Sequence, residues 1–238
     1  RLSWFSKKGF RAAVSHAIDR DTIVRNVLQG RGQALWSYVS PANRQWYPKS
    51  VTQYPFDLKA SAQLLLNEGF VKRDGVLHDA QGNPVKFTIM TNAENGMRIA
   101  MLKYIKEDLS RLGMDVTIEP RGFNDIVTAL RDTRKFDAVL LGWGVSVPPD
   151  PAFSKNVLMS TGRSHNWHPE QTSPATSWEA EIDALLVKNT STTDLKERKI
   201  YSDKLFRVFS DYQPQIQLVV IHDAAVARNT VGNFQPSA

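Results

Sequence analysis

The chain reads as an α/β protein built on a mixed, mainly parallel central sheet flanked by helices, and three observations carry that reading. From Val85 to Leu141, strand-like and helix-like stretches alternate in a β-α-β-α-β order, the order that makes parallel sheets with right-handed crossovers. Within it, Ala138–Leu141, entered through Phe136 and Asp137, is a short apolar run with no helical period, which predicts a strand buried on both faces. The length of 238 residues, 42% of them apolar, allows a sizeable core in one large domain or two small ones.

Taken in order, residues 8–17 predict a helix, and Asp19 can cap a second that runs to Gly30, the glycine supplying a left-handed stop. Val14, Ile18, Ile23 and Val27 fall toward one core. Residues 31–55 form a long irregular segment with Trp36, Tyr38, Trp46, Tyr47 and Tyr54 among prolines and polar residues. Loops of that length inside a compact domain bind something or are disordered. The density of rings argues for packing, either on the domain itself or along a ligand cleft.

Asp57 caps a helix to about Glu68, closed by Gly69. Residues 76–79 and 85–90, joined by Gly82-Asn83-Pro84, read as a hairpin. Met97, Met101, Ile105, Leu109 and Leu112 mark one helical stripe that Gly113 stops, with Glu107 and Arg111 as a surface pair. A strand over 114–119, a helix capped near Asn124 and the strand leading into Trp143 complete the alternating run. Beyond a short apolar segment, 152–159, polar ground from 160 to 177 contains Trp167. Thr176 and Glu179 form a capping box for a helix with Trp178, Ile182, Leu185 and Leu186 on one face. Asp194 and Glu197 open another, with Tyr201, Leu205, Val208, Phe209 and Tyr212 at helical spacing. These two helices predict a packed pair, and residues 216–221 a final buried strand.

Composition and motif exclude several functions. There is no cysteine, hence no disulfide, thiol nucleophile or thiolate metal site. No apolar run approaches the roughly 20 residues that span a bilayer, and the first residues lack the apolar core of a signal peptide. Net charge is +6, and the first fifty residues hold nine Lys and Arg against two acids. Lys7, Lys8, Arg11, Arg20, Arg25 and Arg31 could seed an anionic-surface patch, but apolar residues interleave at helical spacing, so a solvated helix face is the simpler reading and no nucleic acid is expected. Gly30-Arg31-Gly32 lacks the third glycine and the lysine of a phosphate loop. Ser146 follows Gly144 but runs into Val-Pro-Pro, which cannot make the turn that exposes a nucleophile. His165 and His168 are three apart but precede Pro169 without carboxylate spacing, so two loop histidines on a polar surface are expected and no metal site.

Trp143 stands apart. It lies between Gly142 and Gly144 at a strand's carboxyl end, with Pro148, Pro149 and Pro151 after it, so its indole is unscreened by its neighbours and suits stacking on a ligand. In open α/β sheets that end is where ligands sit.

This stretch, with Arg11–Arg20, Asp57–Phe70, Glu107–Met114, Glu181–Leu186 and Pro214–Leu218 in order, resembles the family 5 extracellular solute-binding proteins of oligopeptide, dipeptide and nickel ABC importers. The resemblance covers nearly the whole chain. It implies a type II periplasmic-binding-protein-like lobe, residues 1–238 forming the second of two lobes with the first absent, and residues 224–234 returning toward that lobe. It implies a non-enzymatic protein without cofactor, periplasmic or at the cell surface and possibly lipid-anchored. Its partners would be a peptide or other small solute, a membrane-embedded ABC permease and the other lobe. The same fold is also found fused to DNA-binding modules, which makes a regulator's ligand-sensing domain the alternative. The implied ligand contacts are Trp143, Gly144, Ser146, Asp150, Phe123, Trp36 and Tyr38.

Two positions depart from the family pattern. The aspartate that pairs with a peptide's amino terminus in peptide-binding members, three residues beyond the Trp, is here Ser146, and an Arg three before the Trp is here Leu140. A hydroxyl accepts a hydrogen bond from an ammonium but cannot neutralise it in a closed cleft. Asp150, in an Asp-Pro displaced by one residue, would substitute if its loop swung inward.

Overall fold

The structure, a computed structural model, describes residues 2–144, 149–222 and 227–233. Helix α1 (Lys8–Ala17) and α2 (Arg20–Asn26) follow a short 3-10 turn. Asp19 caps α2 by accepting from the Thr22 amide. That helix stops at Asn26, four residues short of Gly30, and the chain reverses with both Gln29 and Gly30 at positive φ.

Asp57 accepts from the amides of Lys59 and Ala60 to start α3 (Leu58–Asn67), which Gly69 closes at φ +86°. The expected hairpin is placed elsewhere. Strands β2 (Val71–Arg73) and β3 (Val76–His78) pair antiparallel around Asp74 and Gly75, both at positive φ. Asp-Gly is the turn whose twist matches flanking strands, and it prevails over Gly82-Asn83-Pro84, where one bridge, His78 to Pro84, remains.

Strand β4 (Lys86–Asn92), α4 (Gly96–Arg111), β5 (Asp115–Arg121), α5 (Phe123–Thr128) and β6 (Ala138–Val139) form the alternating run, and the sheet is parallel in the order β5–β4–β6. Two details differ from expectation. Asn124 lies inside the first turn of α5, whose N-cap is Gly122. The strand before Trp143 is a two-residue edge rather than an interior strand, and residues 138–141 are half-buried because β4 is its sole partner among the described residues. On α4 the stripe from Met101 to Leu112 is buried as its spacing requires, while Met97, 41% exposed, lies outside it.

Past α6 (Lys155–Leu158), α7 (Ser177–Thr190) and α8 (Leu195–Tyr212) pack as a pair around Trp178, Ile182, Leu186, Leu205, Phe206 and Phe209. They make a second core beside the one shared by the first four helices and the sheet. The last strand, β7 (Val219–Ile221), is short and partly exposed rather than buried, and pairs antiparallel with β1 (Gly32–Ala34).

Arginines join the cores. Arg11 donates to the carbonyls of Tyr212 at 2.7 Å and Gln213 at 3.0 Å, at the end of α8 where backbone acceptors lack helical partners. Arg20, buried, donates to Ser15 and Gln217 carbonyls. Lys7 pairs with Glu68 and Lys8 lies over the Tyr212 ring, so four of the six basic residues singled out in the sequence are tied to their own fold.

Candidate ligand-binding site

The chain leaves β4 toward β5 on one side and comes back to β6 on the other, so strand order reverses at β4. The crevice outside the carboxyl end of such a strand is where open α/β sheets take ligands. Asn92 ends β4, and Asn95 caps α4 by accepting from the Arg98 amide at 2.9 Å. The Arg98 side chain folds back so that Nη1 donates to Asn92 Oδ1 at 2.6 Å. From the other side, Thr91 Oγ1 donates to the Leu140 carbonyl at 2.9 Å and fixes the exit of β6.

The next residues lie against this frame. A Cβ on Gly142 would stand 2.6 Å from Arg98 Nη2, so the glycine is what admits the guanidinium. Trp143 follows, 49% exposed, and Phe123 at the mouth of β5 is 53% exposed. Arg121 at the end of β5 is already answered: its Nε and Nη2 both donate to Glu119 Oε1, at 2.9 and 2.5 Å.

The residues singled out in the sequence are thus dispersed. Trp143, Gly144 and Phe123 share the carboxyl end of the sheet, exposed. Ser146 lies outside the described residues. Asp150 caps a 3-10 turn by accepting from the Ala152 amide at 2.8 Å and receives Arg198 Nη2 at 2.6 Å. Arg198 also donates to the Asn189 carbonyl and lies 4.9 Å over Trp46, so Asp150 is anchored to the α7–α8 pair. Trp36 carries the Arg20 guanidinium on its face at 4.2 Å. Tyr38 stacks on Phe206 and meets Phe209 edge-on, and burial raises its hydroxyl's pKa although Ser154 hydrogen-bonds to it. Both rings pack on their own domain.

A second polar cluster was misjudged in the sequence. His165 is buried, not a surface loop residue, because Glu179 draws it in. The Glu179 carboxylate, 1% exposed, takes His168 Nδ1 at 2.6 Å, His165 Nε2 at 3.1 Å, Thr176 Oγ1 at 2.9 Å and the Gln171 amide at 3.2 Å. Burial alone would raise its pKa, but the hydrogen bonds from His165, His168 and Thr176 outweigh that and hold it at about 2. Burial lowers the pKa of His165, against the pull of Glu179. Its two ring nitrogens face Val157 O and Glu179 Oε1, and a neutral ring can donate to one of them. Among the described residues, no group of three or more His, Cys, Asp or Glu is placed to hold a metal ion.

Sequence reading missed Asn92, Asn95 and Arg98. The available signal was an Asn three residues before a charged residue at a strand-to-helix junction, which is cap chemistry; the stripe beginning at Met97 drew attention past it.

Comparison with known proteins adds an independent line. A family model described as bacterial extracellular solute-binding proteins, family 5 Middle, matches residues 2–165. A probable ABC transporter-binding protein of Deinococcus radiodurans is 33% identical over 225 residues, 90% of this chain and 38% of its own length. The oligopeptide-binding protein AppA of Bacillus subtilis is 27% identical over 217 residues, 88% of this chain and 38% of its own. The structure of AppA in complex with a nonapeptide superposes with a TM-score of 0.79 at 25% identity, covering 91% of this chain and 42% of that one. NikA from Brucella suis, in complex with Fe(III)-EDTA, shares the fold with a TM-score of 0.77 at 22% identity, covering 90% and 42%. The chain therefore spans about two fifths of the length of the relatives it matches.

Proposed function

Because this chain belongs to the family 5 bacterial extracellular solute-binding proteins, we propose that it is one lobe of a two-lobe protein that captures a peptide or similar small solute for an ABC importer outside the cytoplasmic membrane. The single observation that carries the reading is the exposed Trp143, with Phe123 exposed at the same end of the sheet, at the strand-order reversal. A large ring left half in water at the place where such sheets take ligands has the surface a second lobe would close over, with ligand held between. The reading involves no chemical step: the ligand favours the closed arrangement through contacts made to both lobes.

The captured peptide would not depend on a free amino terminus. Ser146 offers no charge, and Asp150, the residue that could substitute, has its carboxylate engaged by Arg198 and the Ala152 amide. Burying an ammonium without its counter-charge costs roughly 3–5 kcal/mol.

Calorimetry of the full-length protein with a library of short peptides tests both statements. Binding in the micromolar range or tighter, weakened about tenfold or more by Trp143→Ala, is expected, with N-acetylated and free peptides binding within about threefold of each other. Submicromolar binding by residues 1–238 alone would overturn the half-site reading. Strong loss on acetylation, itself abolished by Asp150→Asn, would return the amine-binding role to that aspartate.

A further inference from the structure

We propose that the groove between α3, the β2–β3 hairpin and the end of α4 is a second binding site, and that it takes a fatty carboxylate, a single acyl chain with an anionic head. The inference does not rest on solute capture, because the groove lies at the other end of the sheet. The Leu77 amide donates to the Gly113 carbonyl and its carbonyl accepts from the Val85 amide, just before β5 and β4 begin. The groove therefore opens at the amino ends of these strands, whereas Trp143 stands at a carboxyl end. Its cavity measures about 440 Å³, within the range of small-molecule sites, which gives room for one acyl chain rather than the two of a phospholipid.

Leu65, Phe70, Leu77 and Leu112 line the groove from the first core, each at most 7% exposed. Beside them Leu66 on α3 is 57% exposed and Val71 on β2 is 40% exposed, so two large side chains stay in water at the edge of an apolar cavity. Covering them is where a hydrocarbon chain gains. Among the described residues, the rest of the lining that is not apolar is cationic: Lys59, Lys72 and Arg111. Arg111 is partly neutralised by Glu107 at 2.9 Å and Asp108 at 3.4 Å. Lys72 makes no ion pair among the described residues. Its Nζ donates to the Arg111 carbonyl at 2.9 Å, which holds the ammonium over the end of α4 with two N–H groups left for a ligand. Lys59, in the first turn of α3, is exposed, and its neighbour Asp57 is engaged in capping that helix. An apolar trough whose charged groups are cations matches a ligand apolar along its length and negative at one end. A cationic head would meet like charge, and a polar solute would leave its own groups unpaired against the leucines.

The test titrates the full-length protein in a calorimeter with dodecanoate, dodecylammonium and dodecyl maltoside, each below its micelle concentration. Dodecanoate is expected to bind about tenfold tighter than the other two, with affinity rising about tenfold for every two carbons from octanoate to dodecanoate. Ala62→Trp, at an exposed position of α3 that lines the groove, fills it from the solvent side and should weaken dodecanoate at least about tenfold while leaving peptide capture unchanged. Lys59→Gln combined with Lys72→Gln should erase the preference for the carboxylate and keep the chain-length dependence. Equal affinity for the three head groups, or dodecanoate binding that survives Ala62→Trp in a protein folded by circular dichroism, overturns the proposal. Loss of dodecanoate in Trp143→Ala would place it in the crevice and overturn it too. So would binding to anionic phosphatidylglycerol vesicles without binding of monomeric dodecanoate, which would assign the face to a bilayer surface. Should Ala62→Trp fail to fold, the double lysine variant decides alone.

Discussion

Arg20 lies over a tryptophan ring, and Arg98 lies against the glycine that precedes one. Beyond that the two surroundings diverge. Arg20 is 3% exposed, and its Nε, Nη1 and Nη2 all donate, to the carbonyls of Gln217, Ser15 and Ile18 and to the Ser15 hydroxyl. Burial lowers its pKa to about 9, still high enough to stay charged at neutral pH. Arg98 has one side-chain acceptor, Asn92. Trp36 is covered by its arginine, whereas Trp143 is half in water. Saturated donors mark a cation that the fold uses for itself; spare donors beside an exposed ring mark one with capacity for something else.

Removing each arginine separates the two roles most sharply. Arg20→Ala leaves buried carbonyls without donors and a gap over Trp36, and is expected to cost about 3–5 kcal/mol in urea denaturation. Arg98→Ala, at a half-exposed position with one side-chain hydrogen bond, is expected to cost under about 1 kcal/mol. Similar losses at the two sites would erase the distinction.

The same contrast among anions gives a pH effect. Glu179 is held at about 2 in the fold against an ordinary 4.5, so the unfolded chain binds more protons between those values. The associated stability is present above pH 4.5 and lost as pH falls toward 2, about 3 kcal/mol in all. His165, whose pKa burial lowers from 6.5, adds a loss in the same direction that sets in as pH falls through that ordinary value. Thermal melts from pH 7 to 3 are expected to show this decline, and Glu179→Gln should flatten its lower part while lowering stability at neutral pH.

The smallest effect is expected at Gly142. Alanine there meets the far end of the flexible Arg98 side chain, so stability should change by less than about 1 kcal/mol. Displacing the guanidinium should nevertheless disturb the turn that presents Trp143 and weaken peptide binding by about threefold. Unchanged binding would mean that Arg98 can shift without consequence for the ligand.

Much of the fold was legible because it is written locally. Asp19, Asp57, Thr176 and Asp194 cap the helices they were read to cap, since a short polar side chain before an apolar stripe has one good use. The parallel β4–α4–β5–α5–β6 run follows from alternating periods. What failed depended on partners distant in sequence. Apolar character at Val139 and Leu140 does not say whether a strand has one neighbour or two, and nothing near His165 announces that a capping glutamate fourteen residues on will bury it. The site was half legible: two glycines flagged Trp143, while Trp36 and Tyr38 looked equally suited to a cleft until Arg20 and Phe206 were seen to occupy them.

The Arg11 clamp has a consequence for how the chain acquires its shape. It ties residues 201 positions apart, the Arg20 bonds to Gln217 span 197, and β1 completes its ladder with β7. The β4–α4–β5 unit, by contrast, closes within about 35 residues of itself. During synthesis the central unit can therefore condense, and α1 can settle on α3 through Phe10 and Phe70, before the carbonyls of Tyr212, Gln213 and Gln217 that Arg11 and Arg20 grip have emerged. Loop closure over such a span is slow relative to local pairing, so Arg11 and Arg20 are among the last side chains of this chain to find those carbonyls, and the α7–α8 pair is the last part to be locked to the rest.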